Sequence, residues 1–240
     1  SSVSAIVAED IADFPDLNVA EALQRLPGVA IRREAGEGRN ITVRGLGPDF
    51  NLTRVNGMEG LGTSGGTDSS GGANRSRQFD FNIFASELFN QIVVRKTAEA
   101  WVDEGAIGAV IDLRTARPFD YDGMAAVASA QLLYNDLAEE TNPRVSALLS
   151  NTWGNFGVLL AVAYTEREIL EEGASTVRFQ TNDFASCTAC ADEAEFARVN
   201  DDWHPRIPRY GRLVHNQKRT GVNVALQWQP TDNTDIVFEA

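Results

Sequence analysis

The second half of the chain is written in period two, and no other feature limits its fold as much. In Val222-Asn223-Val224-Ala225-Leu226-Gln227-Trp228 the residues at 222, 224, 226 and 228 are apolar, and those between them are polar or small. Val145, Ala147 and Leu149 alternate, less cleanly, with Arg144, Ser146, Leu148 and Ser150. Successive strand side chains point to opposite faces, so each stretch offers one apolar face. Residues 124–134, 143–152, 156–166, 212–229 and 235–240 read as strands on this basis.

A one-faced antiparallel sheet can be soluble, with its apolar face in a core. It can also be the wall of a transmembrane β-barrel, whose strands need only ~9–11 residues. The connections are residues 135–142, 153–155, 167–211 and 230–234, alternately longer and shorter. A barrel entered from the periplasm requires that order, with short turns on one side and long loops on the other. A connection as long as 167–211 is uncommon inside a compact soluble domain. Trp228 lies beside a turn, where an aromatic-belt residue belongs. No apolar run reaches the ~18 residues of a membrane-spanning helix; the longest, such as 157–164, are strand-length.

The first half has a different texture. Asn18 caps a helix that carries Val19, Ala22, Leu23 and Leu26 on one face, with Glu21 placed to reach back to the cap. Pro27-Gly28 stops it. Strands follow at 40–44, 52–55, 91–95 and 109–114, with a turn at Asn56-Gly57. Residues 60–76, rich in Gly, Ser, Thr and Asn, have almost nothing to bury and read as a loop. The expected architecture is an α+β domain at 1–118, followed at 119–240 by antiparallel β strands of an incomplete barrel.

The formal net charge of −13 argues against nucleic acid, whose phosphates require clustered Lys and Arg. Ser1 opens the chain without a basic n-region or an apolar h-region, so an exported protein would have its beginning upstream. The two cysteines form Cys187-Thr-Ala-Cys190, which fits a redox pair, half a zinc site or a local disulfide. A zinc site needs two further ligands, and His204 and His215 follow at spacings unlike a common finger. A polar loop in an oxidising compartment favours the disulfide.

Four segments in order resemble the plug domain of TonB-dependent outer-membrane receptors. They are Asn18-Val-Ala-Glu-Ala-Leu-Gln-Arg-Leu-Pro-Gly-Val29 with Ile41-Thr-Val-Arg-Gly45, then Asn51-Leu-Thr-Arg-Val-Asn-Gly57, then Glu87-Leu-Phe-Asn-Gln-Ile-Val-Val-Arg-Lys96, and Glu104-Gly-Ala-Ile-Gly-Ala-Val-Ile-Asp-Leu-Arg114. Together they cover nearly all of residues 5–118. The stretch from Lys96 to Ala98 and the cysteine loop are similar to the subgroup described from Xanthomonas and Caulobacter relatives, many of which import saccharides.

The resemblance implies a plug that fills a barrel of about 22 strands in the Gram-negative outer membrane. It also implies energy-coupled import of a scarce nutrient, with a saccharide favoured and an iron-siderophore next. The implied partners are TonB, outer-membrane lipid and that small ligand, an oligosaccharide or a siderophore; no cofactor and no enzymatic activity are implied. The TonB box is expected upstream of Ser1, since nothing in residues 1–15 matches it, and five strands cannot close a barrel.

The resemblance also makes Arg44 and Arg95 candidates for latching the plug to carboxylates on the barrel wall. Gly105 and Gly108 are expected to serve a tight turn. Trp203, Tyr210, Asp201 and Asp202, in the 167–211 connection taken as extracellular, are candidate substrate contacts, because aromatic rings and carboxylates suit sugars. Cys187 and Cys190 are the expected disulfide, and no metal site is expected. Two alternatives stand beside the receptor. One is a soluble plug-like binding or signalling module. The other is a carbohydrate-active enzyme using Asp201 and Asp202, which lacks a nucleophile–base–orienter set.

Overall fold

The computed structural model describes residues 3–7, 18–34, 36–60, 77–100 and 102–240. The Gly/Ser-rich segment 61–76 lies outside the described residues, as does 8–17, part of the stretch searched for a TonB box. The chain divides into two compact units, residues 1–168 with 216–240, and residues 169–215.

Asn18 caps α1 (Val19–Leu23), its Oδ1 accepting from the Glu21 amide at 3.2 Å. The side chain of Glu21 turns instead to Arg33, 3.5 Å away. α1 packs on a hairpin of β2 (Val29–Glu34) and β3 (Glu37–Val43). Beside it lies a mixed sheet of β1 (Val3–Val7), β4 (Asn51–Val55), β5 (Met58–Glu59), β6 (Phe89–Arg95) and β7 (Ala109–Thr115), in the order β1-β6-β7-β4-β5. Only the β4–β7 pair is parallel; the others are antiparallel. The core joins Leu23, Ile41 and Val43 to Phe81, Ile92, Ile111 and Leu113. Burial of such side chains, at ~1.5–3 kcal/mol each, is what offsets the ordering of strands this short.

The wall follows: β8 (Ala125–Asn135), β9 (Glu140–Trp153), β10 (Phe156–Thr176), β13 (Pro208–Thr231) and β14 (Thr234–Glu239), in the order β14-β13-β10-β9-β8. The Asn155 carbonyl accepts from the Gln229 amide at 2.8 Å, so the β9–β10 and β13–β14 turns lie at the same end of the sheet. The expected strand boundaries were too narrow, because β10 runs to Thr176 and β13 starts at Pro208. Backbone pairing does not require apolar side chains where both faces meet water, so alternation fades before the strand does.

In the second unit, β11 (Phe179–Gln180) pairs with β12 (His204–Pro205), and α2 (Glu193–Asp201) lies between them. Asp192 caps α2 through the Glu195 amide at 2.8 Å. The expected loop 167–211 is therefore largely structured.

Candidate functional site

The wall presents a different chemistry on each face. In register, Val145, Ala147 and Leu149 of β9 stand opposite Tyr164, Val162 and Leu160 of β10. These share the outer face with Val222, Leu226 and Trp228, and most of its apolar side chains are exposed. Leu159, Ala161, Ala163, Asn223, Ala225 and Gln227 on the other face are buried. The polarity of a water-soluble sheet is thus inverted: large apolar groups point out, and small or polar groups point towards the first domain.

The seam on that inner face is ionic. Glu37, at the start of β3, is 1% exposed. Its Oε2 accepts from Arg167 Nη1 of β10 at 2.9 Å, and its Oε1 from Arg219 Nη1 of β13 at 3.0 Å. Arg219 Nη2 also donates to Glu37 Oε2, to Asn82 and to Gln217. A buried carboxylate is tolerable only when paired and hydrogen-bonded, and two guanidiniums supply both. A second contact joins Arg144 of β9 to Glu87 and, at 2.5 Å, to the Ser86 hydroxyl. The linker is tied down as well, through Arg117 Nε to Glu239 at 2.7 Å and the Phe119 amide to Gln227 at 3.1 Å.

At Glu37 and Glu87 the first domain gives the carboxylate and the wall the arginines, whereas Arg117 to Glu239 runs the other way. Arg44 and Arg95 make their described bonds inside the first domain. Arg44, at φ 54°, donates to the Gly108 carbonyl at 2.8 Å. Arg95 Nε donates to Asp112 at 3.0 Å and its Nη1 lies 3.8 Å from Glu99. Asp112 is shared with Arg54, whose Nε reaches it at 2.6 Å and whose Nη1 reaches Asp103 at 2.8 Å. Burial pushes the Asp112 carboxyl up, but the hydrogen bonds from Arg54 and Arg95 outweigh it and hold it below the usual carboxylate range.

Gly105 has φ 110°, a conformation that strains any other residue. Gly108 is required for space, since a Cβ there would stand 2.3 Å from Asn51 Oδ1.

In the second unit, Trp203 and Tyr210 are exposed. Tyr210 donates to Glu172 at 3.3 Å, Asp201 accepts from Asn182 at 3.3 Å, and Asp202 caps the end of α2. Asp201 and Asp202 thus take part in local structure at the end of α2. Cys187 and Cys190 are joined in a disulfide, with Cα atoms 5.5 Å apart.

A small α+β domain is thus held by buried charges to the inner face of a sheet whose outer face is apolar. Residues 1–110 match the family model of the TonB-dependent receptor plug domain. It is 32% identical over 125 residues to the ferric enterobactin receptor PirA of Pseudomonas aeruginosa, a match covering 49% of this chain and 17% of that receptor. Among solved structures, a mutant of the ferric enterobactin receptor PfeA of the same organism, in complex with enterobactin, superposes with a TM-score of 0.64 at 20% identity. That superposition covers 99% of this chain and 32% of PfeA. The siderophore receptor PirA of Acinetobacter baumannii gives 0.60 at 19% identity, over 99% of this chain and 30% of that one. These relatives are receptors rather than enzymes. The chain spans about a third of the length of those structures.

Proposed function

We propose that the chain is the N-terminal part of an outer-membrane receptor that imports a ferric siderophore by energy coupled through TonB. The observation that carries this reading is a matched plug domain lying directly before a sheet that pairs with it at Glu37 and Glu87 and turns apolar side chains outward. In this reading the plug, residues 1–118, sits in the barrel lumen and residues 167–211 face the outside of the cell. The Glu37–Arg167–Arg219 and Glu87–Arg144 contacts keep the plug seated until it is pulled. Trp203, Tyr210, Asp201 and Asp202 are the candidate ligand contacts of the external hairpin.

A siderophore takes precedence over the saccharide expected from the cysteine loop, because the relatives named above are siderophore receptors. The test is uptake by whole cells under iron limitation. Cells carrying the full-length receptor should accumulate ferric siderophore, and deleting either the receptor or TonB should abolish it. Uptake of labelled oligosaccharides with no siderophore uptake would restore the saccharide reading. Uptake of neither, from a receptor present at normal levels, would overturn the proposal.

A further inference from the structure

The ladder of β11 and β12 sets two arginines against each other. Phe179 stands opposite Pro205 and Gln180 opposite His204, and the Arg206 amide donates to the Arg178 carbonyl at 2.8 Å. That bond carries the register one residue further, to Arg178 opposite Arg206. Residues directly across an antiparallel ladder share a face, with Cα atoms about 5.5 Å apart in a hydrogen-bonded pair. Both arginines are exposed, and like charges directly opposite each other are unfavourable.

Other charges of the second unit meet a carboxylate. Arg212 lies 3.4 Å from Glu172, His215 lies 3.4 Å from Glu171, and His204 lies 2.5 Å from Asp183. Among the described residues, no carboxylate reaches Arg178 or Arg206. Asp183, which follows β11, is already occupied, because its Oδ1 faces His204 and its Oδ2 accepts from Gln180. Gln180 in turn accepts, through its Oε1, from Arg178 Nε at 3.1 Å. Arg178 is thus held by its Nε alone, and both of its terminal nitrogens are left over. The Arg206 side chain makes no bond among the described residues.

A guanidinium offers two parallel N–H donors that match two oxygens of a carboxylate or a phosphate. A carboxylate has only two oxygens and fills one such fork. A phosphate group has at least three free oxygens and up to two charges, so it serves a fork on either side and removes the repulsion between them. We propose that Arg178 and Arg206 form a binding site for a phosphate group. The same chemistry is offered by a soluble phosphorylated ligand and by a lipid headgroup. The site rests on the hairpin alone and not on the receptor reading.

The test follows the Nε–H resonances of Arg178 and Arg206 by NMR, in the protein in detergent micelles at pH 8 and constant ionic strength, as inorganic phosphate replaces chloride. Both resonances should shift together and saturate. Arg178→Gln and Arg206→Gln should each weaken the affinity about tenfold, whereas Arg209→Gln, an exposed arginine outside the pair, should leave it within about twofold. Arg206→Glu sets a carboxylate opposite Arg178 and should abolish binding. In every variant the Asn182 amide, bonded to the Asn200 carbonyl, should stay as protected from hydrogen exchange as in wild type, which separates loss of the site from loss of the hairpin. Bilayers of phosphatidylcholine containing phosphatidic acid, without added phosphate, identify the source. Shifts there assign the site to a lipid headgroup, and shifts with inorganic phosphate alone assign it to a soluble ligand. No saturable shift in either medium, or wild-type affinity in Arg206→Gln, would overturn the proposal.

Discussion

Replacing Glu37 by Gln removes one charge from the seam and changes almost nothing in shape. Glu37 lies 2.9 Å from Arg167 and 3.0 Å from Arg219, and it is 1% exposed. At an effective dielectric near 20, a pair at that distance attracts by about 6 kcal/mol before desolvation is counted. The net loss is smaller, because the carboxylate no longer has to be desolvated. Two buried guanidiniums are nevertheless left facing an amide, and breaking a buried pair from one side costs about 3–5 kcal/mol. An opening equilibrium of the hairpin should then rise by roughly two to nearly four orders of magnitude. Native-state hydrogen exchange reads this directly: amides of β2 and β3 should exchange faster by that factor in Glu37→Gln. Those of β9 should change little. Arg44→Ala, which loses a bond to Gly108 inside the plug, should cost about 1 kcal/mol and act only near residues 96–108. Exchange in β2 and β3 within about threefold of wild type would show that the buried charge does not hold the hairpin.

Asp112→Asn should destabilise the plug by about 3 kcal/mol, measured by chemical denaturation, because Arg54 and Arg95 lose their shared partner. The sign of the pH effect follows from the lowered Asp112 pKa. Its contribution is full above the unfolded value of about 3.9 and is lost as pH falls through the lower folded value, so wild type should lose stability in strong acid more steeply than Asp112→Asn. Gly157→Ala should cost about 1–3 kcal/mol, since a Cβ there would lie 2.5 Å from the rigid Pro118 ring. Gly211→Ala, which meets nothing, should be neutral in the same thermal melt. Alkylation before reduction should label neither Cys187 nor Cys190, and labelling of both by mass spectrometry would contradict the disulfide.

The strands of the wall were legible because one face of the sheet is apolar, and Val145, Leu149, Val222 and Trp228 repeat on one side of the pleat. α1 was legible from Asn18, whose capping chemistry is local. The seam was not. Glu37 stands in a polar turn between two glycines and looks like a solvated residue until the wall closes over it. A signal was nonetheless present. Arg167 and Arg219 share the inner, odd-numbered face with Leu159, Ala161, Asn223 and Ala225, where a charge demands a partner. Ending the β10 strand at residue 166 placed Arg167 in a loop and hid that demand. The bonds described for Arg44 and Arg95 were no more legible, for the converse reason. A guanidinium on a strand needs an acceptor, and Gly108, Asp112 and Glu99 of the same domain were close enough to provide it.

The central claim is that the outer face of this sheet meets lipid while its inner face meets the plug. Single nitroxide labels at 144–149 on β9 and 222–227 on β13, in the protein reconstituted into bilayers, report it through collision with oxygen and with a water-soluble nickel complex. The account predicts a period of two. Labels at 145, 147, 149, 222, 224 and 226 should be accessible to oxygen and shielded from nickel, while the alternate positions should be shielded from both. Free access of nickel to the apolar face, or the loss of the alternation, would contradict it.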